Sequence, residues 1–237
     1  MQINKLYVQA IYRSIFCAIS FLGCLLSLEF LQIGYNGTVS FNDDFYVFYT
    51  NLSNYLVFVV NAIVLWGTIK KLRAGETRGY NTVIPKLKYC TTIVIFVTFL
   101  VFAFVLPDEK YGLTAPLILT SRYWLDLANL CLHMLSPLLF VLDWFLFDKH
   151  HQIKVWHPFL TPILPIGYGA YIKIRGVILT AANDGALPTH TTVYPYFFLD
   201  SYEKGYGYVF CWWGILALLF LILGYLFWWV DKKGAVK

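Results

Sequence analysis

The stretch VFCWWGILALLFLILGYLFWWV at residues 209–230 carries no charged side chain. As a helix rising 1.5 Å per residue it is about 33 Å long, enough to cross the roughly 30 Å hydrocarbon core of a bilayer. Comparable apolar runs cover about 13–33, 46–69, 89–106, 122–147 and 158–179. The reading is therefore all-α: a bundle of six transmembrane helices forming a single membrane domain over 1–237. Composition agrees, because 59% of the residues are hydrophobic and only 13% are charged. Soluble domains carry about 25% charged residues, so this chain has too few to cover a water-facing surface. The first run is too long for the apolar part of a signal peptide, and no small-x-small cleavage site follows it, so it is read as a span of the mature protein.

Lys and Arg set the expected orientation. Lys5 and Arg13 are read as preceding the first span, and Lys70, Lys71, Arg73, Arg78, Lys86 and Lys88 as filling the loop between the second and third. Lys149 and Lys154 lie between the fourth and fifth, and Lys232, Lys233 and Lys237 follow the sixth. The alternate loops hold Asp43, Asp44, Asp108, Glu109, Asp184, Asp200 and Glu203. The positive-inside rule then places both termini in the cytoplasm. The net charge of +5 is spread over short loops rather than one soluble face, so nucleic acid is not an expected partner. The longest link, about Thr180 to Tyr208, is expected outside as a short cap folded over the helix ends. Cys17, Cys24, Cys90, Cys131 and Cys211 have neither CxxC nor zinc-ligand spacing and read as small apolar residues; no metal and no cofactor is expected.

Polar side chains inside hydrocarbon are costly, and they mark functional candidates. In the second span Thr50, Ser53, Asn54 and Asn61 stand at i, i+3, i+4 and i+11, along one helix face that should look into the bundle. In the fourth, Asp126, Asn129, His133 and Ser136 stand at i, i+3, i+7 and i+10, again one face. Pro137 should loosen the backbone around His133 by removing one hydrogen bond. His133 is the one histidine placed in a span. It reads either as a general base or as a buried histidine bonded to a neighbouring helix. A base would act on a hydroxyl, and Thr50 and Ser53 are available. Lys173 and Arg175 in the fifth span either hold a substrate carboxylate, pair with Asp126, or snorkel to the interface. Asp143 reads as a structural pair or an interface residue rather than a proton relay.

Four stretches resemble the androgen-induced-gene family, which includes the androgen-dependent TFPI-regulating protein, and most closely its prokaryotic-type relatives. They are Phe48-Tyr49-Thr50-Asn51-Leu52-Ser53-Asn54, His133-Met134-Leu135-Ser136-Pro137 leading to Asp143-Trp144, Trp156-His157-Pro158, and Tyr194-Pro195 with Phe198-Leu199-Asp200. The resemblance implies a multi-pass membrane threonine hydrolase that cleaves fatty acid esters of hydroxy fatty acids, with Thr50 at the threonine position and His133 at the histidine position. The chain departs from animal members in Tyr194-Pro195-Tyr196-Phe197-Phe198-Leu199-Asp200, where theirs is shorter and ends in Glu, and in the polar setting of Thr50.

The expected function is an intramembrane hydrolase of lipid esters, with Thr50 as nucleophile, His133 as base, Ser53, Asn54 or Asn129 as oxyanion or pocket groups, and Lys173 and Arg175 on a substrate carboxylate. Its partners would be a fatty-acyl ester and the membrane lipids, in the cell membrane if the host is prokaryotic. The alternative is a non-catalytic lipid-binding or sensing protein with the same pocket.

Overall fold

The computed structural model describes residues 2–27, 45–106, 123–183 and 193–234. Asn36, whose sequon the sequence offers for glycosylation, and Arg122 and His190 lie outside the described residues. The elements are α1 (Leu6–Ser27), α2 (Tyr49–Arg73), α3 (Pro85–Phe104), α4 (Tyr123–Asn129), a π-helical turn (Leu130–Leu135), α5 (Ser136–Phe147), α6 (Ile163–Ala182) and α7 (Tyr206–Lys233). Helix α4, the π turn and α5 form one continuous span, and α6 is entered through a 3-10 turn at His157–Leu160. Six helices result that are long and apolar enough to cross a membrane.

Local chemistry sets several helix ends. Helix α2 closes in a Schellman motif, with the Glu76 N–H donating to the Lys71 carbonyl at 3.1 Å and the Gly75 N–H to that of Leu72 at 3.0 Å. Gly75 takes the left-handed φ of 84° that this motif requires and that glycine adopts without a steric penalty. Pro85 opens α3, where its missing N–H is not needed. In the fourth span Pro137 has the expected effect in a specific form. The turn before it widens, and the Ser136 N–H reaches back five residues to the Cys131 carbonyl.

Helix α3 is the most buried span and packs against α2, α5 and α7. Its Tyr89, Ile93 and Val97 meet Trp144 of α5 and Phe220 and Phe227 of α7 in the main core. The amino-terminal residues, the α2–α3 link, the α5–α6 link and the end of α7 gather at one end of the bundle. Lys5 pairs with Arg78 and Asn81 with Asp148 through backbone bridges, and the His151 N–H donates to the Asp231 carbonyl at 3.2 Å. At the opposite end the segment from Val193 folds back over the helices as a cap, burying Phe198 and Leu199 beside Val47, Tyr168 and Ile172.

Two cations are not where hydropathy puts them. Arg13 lies within α1 and Lys88 within α3, both fully buried, rather than in loops. The hydropathy reading ended these spans at the charges, whereas the helices run on because each charge has a partner. Arg13 Nε donates to Asp143 at 2.8 Å, and its Nη1 donates to Thr68 at 2.7 Å and to Gln9 at 3.2 Å. Lys88 Nζ pairs with Asp143 and, at 2.8 Å, with Asp148, which also accepts from Asn81 at 3.0 Å. Two cations and two carboxylates thus balance in a sealed network. Asp143 is the structural pair expected of it.

Candidate functional site: an apolar chamber beneath the cap

Phe48 at the N-cap of α2 supplies no capping side chain, and the Tyr168 hydroxyl of α6 stands at the Tyr49 backbone N–H instead. The polar groups of α2 turn inward, and Thr50, Ser53, Asn54 and Asn61 are all buried, as the periodicity requires. The Thr50 carbonyl accepts from Ser53 Oγ at 3.0 Å and from Asn54 Nδ2 at 2.9 Å. The same Asn54 amide donates at 3.1 Å to the carbonyl of Leu132, in the π turn. Both Asn54 donors are therefore committed to holding the Thr50 turn against the turn that carries His133. Ser53 Oγ also accepts from Thr98 at 3.3 Å.

A mostly apolar chamber, part of it open to the surroundings, lies between α2, α3, α6, α7 and the cap. Thr50 and Thr98 bring hydroxyls to its wall; Phe102, Tyr168, Phe198 and Trp213 are among its aromatic members. Its lining offers very few polar points.

His133 is not part of that wall. Its ring stacks on Phe102, with centroids 3.8 Å apart and planes at 21°, and Phe102 does line the chamber. His133 Nδ1 is buried without a partner. The single polar face expected for the fourth span does not form. Asp126 and Ser136 are buried, but Asn129 is exposed on the outside of the bundle. The widened turn after Asn129 breaks the α-helical spacing on which that face depended.

Lys173 and Arg175 reach the cap. Lys173 Nζ donates to the Leu199 carbonyl and lies over the Tyr194 ring, 4.5 Å from its centroid. Arg175 Nη1 contacts the Val193 carbonyl at 3.4 Å. Gly176 leaves room for Tyr194, since a Cβ there would stand 2.6 Å from the tyrosine oxygen. Tyr168 donates at 2.6 Å to the Val47 carbonyl, tying α6 to the entrance of α2. The cap residues Tyr196, Phe198 and Leu199 close that side of the chamber. Among the described residues no group of three or more His, Cys, Asp or Glu is placed to hold a metal ion.

Sequence reasoning passed over two wall residues. Tyr49 and Trp213 line the chamber, and the Tyr49 hydroxyl and the Trp213 indole nitrogen are both buried without a partner. Aromatic residues near a span end read as ordinary interfacial belt. Only the placement of Tyr49 one residue before Thr50 hinted at more.

Fold and chamber together define a helical multi-pass membrane protein with a mostly apolar, partly open site at one end of its bundle. No family model matches the chain, and neither the curated proteins nor the solved structures include a match.

Proposed function

We propose that this protein is an intramembrane hydrolase of lipid esters, with Thr50 as nucleophile and His133 as base. The observation that carries the reading is the Asn54 side chain, which joins the Thr50 turn at the chamber wall to the π turn bearing His133. The motif resemblance to the androgen-induced-gene family supports the same two residues. In the reaction, Thr50 Oγ1 bonds to the acyl carbon while its proton passes to His133. The tetrahedral intermediate then breaks the ester C–O bond, and His133 returns the proton to the departing alcohol oxygen. Water, deprotonated by His133, next attacks the acyl-threonine, releases the fatty acid and restores the Thr50 hydroxyl. His133 lies behind Phe102, on which its ring rests, so the reaction requires the Phe102 ring to move aside. Lys173 and Arg175 would exchange their cap carbonyls for the carboxylate of an acidic substrate. Ser53 and Asn54 position the Thr50 turn.

A second reading is favoured by the position of His133 behind the wall: a lipid-binding or sensing protein that holds its ligand without cleaving it. A fluorophosphonate bearing a long alkyl chain separates the two. On the hydrolase reading it labels the purified protein, Thr50→Ala abolishes the labelling, and His133→Ala lowers it by about 100-fold or more, within the range for loss of an acid–base group. Undiminished labelling of both variants excludes this active site. A co-purified lipid that stays chemically unchanged on long incubation favours the second reading.

The positive-inside pattern supports a cytoplasmic position for both termini and for the ionic end, with the chamber and cap toward the opposite face. A thiol reagent that cannot cross membranes tests this: it should label Glu203→Cys on intact cells and Lys233→Cys only after the cells are opened.

A further inference from the structure

Helices α6 and α7 run antiparallel, and two crossings bracket an interval between them. Toward the ionic end, Thr161 Oγ1 donates to the Phe220 carbonyl at 3.2 Å, and the Phe159 ring stands edge-on to that of Tyr225 with centroids 5.9 Å apart. Toward the cap, Gly169 admits the Trp213 indole against α6. Between these crossings run about 12 Å of the α6 span and about 10 Å of α7, at 1.5 Å per residue. Pro165 and Ile166 on one side of the interval, and Leu216 and Ala217 on the other, all line the chamber. None of the four is buried, and Ile166 is 48% exposed although it belongs to the wall. Val97 and Phe220, also of the wall, are buried. Wall residues open to the outside on both sides of one interval mark a mouth. Around it Ile163, Ile215 and Leu218 present exposed apolar side chains.

The depth of this mouth decides what lies against it. Leu216 and Ala217 fall within the uncharged stretch 209–230, about 11 Å from its cap end and about 20 Å from the other. The helices on both sides are long and apolar enough to span a membrane. The mouth therefore opens into hydrocarbon, below the level of the lipid head groups. A hydrated or charged solute taking this route would lose its water, at a cost of several kcal/mol for each unpaired polar group. An acyl chain loses nothing, since it leaves one apolar surrounding for another. Thr50, in the first turn of α2, stands nearer the cap than the mouth does.

We propose that the chamber takes the acyl chain of a bilayer lipid sideways from the membrane, through the mouth between α6 and α7. The lipid keeps its polar end on the cap side of the membrane, and its chain passes between the two helices. The inference rests on the chamber being a lipid site, which the hydrolase and the binding readings share, and adds where the lipid comes from. An ester linkage lies at the polar end of such a chain. A chain seated this way brings the ester toward Thr50 without carrying a polar group across the hydrocarbon, and the cap need not open to admit it.

The test places the purified protein in nanodiscs of phosphatidylcholine containing a trace of the same lipid with a diazirine midway along one acyl chain. After illumination, crosslinked residues are located by mass spectrometry. Leu218 and Ile222, exposed on the outside of α7, should be crosslinked in every case. Crosslinks at Val97, Thr98 or Phe102 report a chain inside, because these α3 residues are buried and line the chamber. Ala217→Trp fills the mouth and should lose the α3 crosslinks while keeping those on α7. Ile166→Trp closes it from the opposite side and decides the matter if Ala217→Trp lowers the thermal midpoint. Gly214→Trp, beside the mouth at a position whose added Cβ meets nothing within 4 Å, should keep both sets. A wild-type protein crosslinked on α7 but not at the three α3 residues overturns the proposal, as do α3 crosslinks that persist undiminished in a folded mouth variant. The hydrolase reading fails separately. Crosslinks inside the chamber of a protein that the alkyl fluorophosphonate never labels keep the mouth and lose the nucleophile. Labelling that depends on Thr50 without α3 crosslinks keeps the nucleophile and loses the mouth.

Discussion

Gly169 sits where α6 crosses Trp213, and the space it leaves is filled by the indole. A Cβ there would stand 2.6 Å from Cζ2 of that ring, too close for any ordinary contact. Gly169→Ala must therefore push Trp213 toward the chamber or separate the helices. The expected cost is about 1–3 kcal/mol, as for other overpacked sites, seen as a lower thermal midpoint in detergent. Labelling by the alkyl fluorophosphonate should fall as well, because the displaced ring occupies ligand space. A substitution at exposed Gly214, one residue along α7, meets nothing within 4 Å and serves as the control.

At the scale of the element, the fourth span depends on Pro137. The π turn at Leu130–Leu135 sets the rotation of His133 relative to α5 and lays its ring on Phe102. Pro137→Ala restores an N–H able to bond the His133 carbonyl in ordinary α geometry. The span should then tighten and His133 turn away from Phe102. We expect a thermal midpoint equal to or above that of the wild type, with alkyl-fluorophosphonate labelling reduced about 100-fold, the scale of loss when a reacting group moves by about 1 Å. A stable variant that labels normally would show that the widened turn is structural only. The proline was legible in the sequence as a loosened helix. That the loosening takes the form of a wide turn, and that Asn129 consequently faces outward, was not legible, because helical spacing holds only while the helix keeps one period.

For the whole molecule, the two ends of the bundle have opposite characters. One end is locked by Arg13, Lys88, Asp143 and Asp148, which join α1, α3, α5 and the link after α5. The other is held by apolar packing under the cap and by bonds from α6 side chains to cap carbonyls. Removing one member of the buried network leaves a carboxylate uncompensated, so Lys88→Met should destabilise the protein by about 3–5 kcal/mol. The double variant Lys88→Met/Asp148→Asn restores charge balance and should recover most of that loss in the thermal midpoint. A double variant no more stable than the single would mean that packing, not charge balance, sets the cost.

The sequence by itself determined the six spans, the inward stripe of Thr50, Ser53, Asn54 and Asn61 on α2, the cap, and the break at Pro137. These follow from span length, helical period and the missing proline N–H, all properties of contiguous chain. Tertiary structure alone decided that Arg13 and Lys88 lie inside helices, since a buried charge is tolerated only when a partner from a distant segment meets it. It also decided that Tyr49 and Trp213, which line the chamber with Thr50, carry buried donors without acceptors. Whether a donor finds an acceptor depends on which helices pack together, and no spacing along one helix records that.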